Sequence, residues 1–83
     1  MNKDEYGFNG WKNWATWSCN LHLTNDEATY NRLKECKTAE EIKNLVEDLL
    51  EIETETNLFK LEALQGYIND IDFYEILRSL KDL

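Results

Sequence analysis

Three tryptophans at a spacing of three, Trp11, Trp14 and Trp17, do most to limit what this chain of 83 residues can fold into. A buried aromatic side chain removes roughly 150–250 Å² from water, and at about 25 cal/mol per Å² each supplies several kcal/mol. A core this small has to be arranged around them. Residues three and four apart are neighbours on a helix, so the tryptophans fall along one helical side and Leu21 continues the row. A second pattern competes over the same residues. Trp17, Cys19, Leu21 and Leu23 alternate with Ser18, Asn20, His22 and Thr24, which is the period of a half-buried strand. A lone strand needs a partner, and no convincing second one follows. The stretch reads as a short helix capped by Thr16 or Asn13, with a strand over 17–23 as the alternative.

The rest of the chain favours helices. It has no proline and only three glycines, Gly7, Gly10 and Gly66, whereas an all-β chain needs more turn residues. Thr24 followed by Glu27 has the form of a capping box, in which the threonine hydroxyl and the glutamate carboxylate each accept a backbone N–H at a helix start. A helix over about 25–36 follows, with Ala28, Leu33 and Cys36 inward and Tyr30 at the margin. Thr38 with Glu41 repeats the device and opens a helix over about 39–53. Its apolar arc holds Ile42, Leu45, Val46, Leu49, Leu50 and Ile52, and its opposite arc holds Glu40, Glu47, Asp48, Glu51 and Glu55. Asn57 can cap a helix over about 58–68, with Phe59, Leu61, Leu64, Tyr67 and Ile68 as apolar positions. Asp72 caps a final helix, with Glu75 three residues later and Phe73, Ile76, Leu77 and Leu80 inward. The expectation is all-α: a small bundle of four to five short helices over 10–83, preceded by a flexible segment over 1–9 from which Tyr6 and Phe8 can fold back.

The formal net charge is −8. Such a surface repels nucleic-acid phosphate and anionic membrane, and it suits a basic protein partner, including one that itself binds nucleic acid. No apolar run is long enough to span a bilayer, and no leader pattern opens the chain. The expected location is the cytoplasm, with both thiols reduced.

Gly10-Trp-Lys-Asn-Trp-Ala-Thr-Trp, followed by Leu21-His-Leu-Thr-Asn-Asp-Glu, resembles a family of short acidic proteins of bacteriophages and other mobile elements. Ile71-Asp72-Phe73-Tyr74-Glu75-Ile76 is similar to that family's closing segment. The likeness covers residues 10–30 and 71–80. It departs at His22, where a large aromatic is expected, and at Phe73, where tryptophan is expected. The family has no known function, so the resemblance carries over no catalytic residue. It implies a phage or mobile-element source. Small acidic phage proteins often bind a host protein, among them inhibitors of CRISPR effectors and restriction enzymes, some of which imitate the charge of DNA.

No catalytic or metal motif stands out. Cys19, His22 and Cys36 are the only soft metal ligands, and a closed zinc site needs four. His22 is the only base for Cys19 or Ser18, and there is no glycine-rich oxyanion loop. No cofactor, metal or direct nucleic-acid contact is expected, and no enzymatic activity. The partner surface with most to recommend it is the acidic arc of Glu40, Glu47, Asp48, Glu51 and Glu55, which can steer a basic host protein. An aromatic alternative is Trp11, as the tryptophan nearest the flexible start. If the core cannot bury the whole apolar arc, the chain forms a homodimer, and a structural or regulatory phage module is the competing function.

Overall fold

The structure is a computed structural model that describes residues 10–81. The segment expected to be flexible, 1–9, lies outside the described residues. Those residues hold five α-helices, α1 (Trp14–Asn25), α2 (Glu27–Lys34), α3 (Ala39–Leu49), α4 (Leu58–Asp70) and α5 (Phe73–Lys81), a 3-10 turn at Ile52–Thr54, and no strand. The all-α expectation is met, and the strand over 17–23 gives way to α1. What decides between them is the period of burial. Ala15, Cys19 and Leu23 are buried, and a spacing of four places them on one helical face.

That inner row of α1 is not the tryptophan row. Ala15, Cys19 and Leu23 meet the centre of the bundle, and the tryptophans sit at its rim. Trp11 is half-buried and packs against the core, and Trp17 is also half-buried, while Trp14 is 55 % exposed. Trp14, and not Trp11, is therefore the most exposed of the three. The core joins α1 to Leu33 of α2, Ile42, Leu45 and Val46 of α3, Ile68 of α4, and Ile71, Phe73 and Ile76 around α5. Ala28, expected inward, is exposed.

Capping sets most of the boundaries. Asn13 caps α1, its Oδ1 accepting the N–H of Thr16 at 2.9 Å. Thr24 caps nothing, because α1 continues through it and its hydroxyl donates to the Asn20 carbonyl at 2.9 Å. Asp26 starts α2 instead, accepting the N–H and the hydroxyl of Thr29, both at 3.0 Å. At α3 the reciprocal box between Thr38 and Glu41 is complete. Asn57 accepts from Phe59 and Lys60 at the start of α4, and Asp72 accepts from Glu75 at the start of α5. α3 is shorter than its apolar pattern suggests. Glu51 adopts a left-handed backbone with φ of 56°, which ends the helix and turns the chain into Ile52–Thr54. By contrast, α4 passes through Gly66 and Asn69 to Asp70.

Candidate functional site

The two segments that carry the family resemblance meet in space, although about 55 residues separate them. The Thr16 side chain is fully buried. Its hydroxyl accepts the backbone N–H of Asp72 at 2.9 Å and donates to Asn13 Oδ1 at 2.7 Å. Asn13 Nδ2 donates to the Asp70 carbonyl at 2.7 Å. The backbone N–H of Lys12 donates to Glu75 Oε1 at 3.1 Å, and Lys12 Nζ lies 3.8 Å from Asp72 Oδ2. These bonds clamp the start of α1 onto the α4–α5 turn. Asn13, Thr16, Asp72 and Glu75 thus have full structural employment, and the clamp closes the fold rather than exposing reactive groups.

The five acidic positions named as a partner surface do not form one arc. Glu47, Asp48 and Glu51 come together with Glu53 around a concavity of about 390 Å³ at the end of α3. Glu40 lies on another surface, a cleft shared with Lys12, Lys43 and Asp72. Glu55 is half-buried, and its carboxylate accepts the N–H of Asn57 at 2.8 Å. Within the concavity Asp48 is paired with Arg32 of α2 at 3.1 Å, so its charge is partly offset. Glu53 was missed by helical arithmetic, because the left-handed turn at Glu51 breaks the 3.6-residue period that the acidic arc assumed. A sequence signal for the cluster exists nonetheless. From Asn44 to Phe59 the chain carries five acidic residues and no lysine or arginine.

The groups with nucleophilic or metal-ligating chemistry are dispersed. Cys19 is buried, and burial pushes its thiol up to about 12, which leaves it protonated and unreactive at neutral pH. Cys36 is half-buried, and its thiol is also raised, first by desolvation and then by the nearby Glu41 carboxylate. His22 is exposed. Among the described residues, no three His, Cys, Asp or Glu side chains are grouped to hold a metal ion. No helix among them is long and apolar enough to cross a membrane.

A second surface takes in Leu49 and Leu50, from the apolar arc on which the homodimer expectation rests. Trp14, Leu49, Leu50, Leu64 and Tyr67 line a largely apolar cleft of about 360 Å³ between α1, α3 and α4. At one end the rings of Trp14 and Tyr67 meet edge to face, their centroids 5.9 Å apart.

Compared with known families, residues 3–80 match the model of a family of unknown function, DUF7249. The chain belongs to that family. The matched span takes in both sides of the clamp and also the carboxylate cluster, so membership extends over the whole described fold while assigning no residue a role. Searches of the curated proteins and of the solved structures give no match.

Proposed function

We propose that this is a non-catalytic binding protein, encoded by a phage or mobile element, that uses its carboxylate-rich end to engage a basic host protein. The most concrete form of the proposal is an inhibitor of a nucleic-acid-handling defence system, of the CRISPR or restriction type, acting in the bacterial cytoplasm. The observation that carries it is the concavity of Glu47, Asp48, Glu51 and Glu53, whose lining among the described residues holds no lysine or arginine and beside which Arg32 pairs with Asp48. A groove built to hold phosphates presents lysine and arginine at close spacing. Fixed carboxylates on a helix end offer such a groove an alternative ligand and speed the encounter electrostatically. The phage source rests on the resemblance over residues 10–30 and 71–80.

Capture from the lysate of the bacterial host tests the proposal. Tagged protein should retain a basic nuclease or defence subunit at low salt and release it at high salt, because exposed charges are screened. Retention of no specific protein, or of one that salt does not release, would count against it. The competing reading, a structural or regulatory phage module, is favoured by the apolar cleft.

A further inference from the structure

The apolar cleft has a counterpart on the same molecule. Leu58 and Phe59, at the start of α4, are 78 % and 81 % exposed. Ile68 is the only buried residue of this helix. α4 is tied to α1 at its far end, through the Tyr67 hydroxyl at 3.4 Å from Ser18 Oγ and the Asp70 carbonyl. Its first half projects a pair of large apolar side chains, and its Leu64, five residues after Phe59, helps to line the open apolar cleft. We propose that this face is a homodimer interface, in which the Leu58–Phe59 corner of each copy seats in the α1–α3–α4 cleft of the other.

Charge, shape and area each point to a second copy as the occupant. α1 contains no Asp, Glu, Lys or Arg, and α4 from Leu58 to Asn69 contains one of each sign, Lys60 and Glu62. The side chains that line the cleft include no Asp, Glu, Lys or Arg, so a chain of net charge −8 offers there a neutral lining, on which two copies approach with little repulsion and a basic partner gains little. An isologous contact uses knob and cleft twice. A cavity of about 150 Å³ accepts a benzene ring, so a cleft of about 360 Å³ has room for a phenyl ring and a leucine side chain.

The area is also adequate. At about 200 Å² per aromatic side chain, Trp14 and Phe59 leave roughly 270 Å² uncovered. Leu49, Leu58 and, along the same side of α1 as Trp14, Leu21 at 45 % exposure take the apolar patch to about 500 Å². That is the size of the largest patch on a typical monomer, roughly 300–600 Å², which is often functional. Buried on both copies it comes to about 1,000 Å² in total, the lower bound of a biological interface.

Sedimentation of the full chain over a range of concentrations tests the interface. The expected mass is twice the 9.9 kDa of one chain, maintained at high salt because the contact is apolar. Leu58→Glu with Phe59→Glu should give the monomer while leaving the far-UV CD spectrum unchanged, since both side chains are exposed. Phe59→Leu should keep the dimer. A monomer at every concentration, or a dimer that survives the double glutamate variant, overturns the proposal. Neither readout involves a host protein, so this result and that of the lysate capture are independent.

Discussion

Replacing Thr16 by valine should be among the most damaging isosteric changes available in this fold. The side chain is fully buried, its hydroxyl accepts from Asp72 N–H at 2.9 Å, and it donates to Asn13 Oδ1 at 2.7 Å. Valine fills the same space and has nearly the same helix propensity, so the hydroxyl is all that changes. The part-buried Asp72 N–H is left without its acceptor, at a cost of about 1–3 kcal/mol. Asn13 also loses one of the two donors that orient its cap. We expect a total loss of about 2–3 kcal/mol, which lowers Tm by roughly 8–20 °C in a domain of this size. Thr16→Ser keeps the hydroxyl and removes a methyl group, for about 1 kcal/mol. Urea denaturation followed by far-UV CD, at one fixed protein concentration, ranks the two variants. Valine below serine supports the clamp; valine equal to or above serine refutes the reasoning that this buried hydroxyl joins the two ends of the chain.

Further outcomes follow from the same geometry. Thr38→Ala removes the acceptor for Glu41 N–H and should cost about 1 kcal/mol, whereas Thr24→Ala, which removes no cap, should be close to neutral by thermal melting. With a thiol reagent at pH 8, Cys36 should react in the native protein and Cys19 only on unfolding, with mass spectrometry after digestion assigning the site. The Cys19 thiol is raised from 9.0 to about 12 by burial, so the fold favours its protonated form. Its contribution is complete below pH 9 and falls as pH rises from 9 towards 12, by up to about 1.4 kcal/mol per pH unit. Chemical denaturation between pH 8 and 11 should show that loss, and Cys19→Ala should flatten it. Tyr67 and Cys36, raised in the same direction, leave a residual slope.

Much of the fold was legible because its helix starts are written in short-range chemistry. Asn13, Thr38, Asn57 and Asp72 each cap the helix that follows them, and each is visible as a polar residue ahead of an apolar period. Thr24 misled because its capping box is genuine in form, yet the preceding helix extends through it and Asp26 lies two residues on with a carboxylate of its own. The end of α3 was not legible. A non-glycine residue entering the left-handed region, as Glu51 does, leaves no compositional mark, and the acidic cluster it creates with Glu53 was drawn instead as a straight arc reaching Glu40 and Glu55. The tryptophans were over-read as core for a related reason. Size predicts burial on average, but in α1 Ala15, Cys19 and Leu23, all smaller than tryptophan, take the centre. The open cleft depends on how α4 is set against α1 and α3, which is a long-range property that no window of sequence contains.

Charge reversal at the concavity bears most directly on the proposed function. Glu47, Glu51 and Glu53 are replaced together by lysine, with Asp48 retained because it pairs with Arg32, and equilibrium binding to the captured host protein is measured across a salt series. Exposed pairs are worth about 0.2–1 kcal/mol each, and reversal turns three attractions into repulsions. The expected result is binding weakened by about tenfold or more, a shallower salt dependence, and an unchanged CD spectrum. Equal affinity at every salt concentration, with the variant folded, would contradict the acidic end as the contact surface.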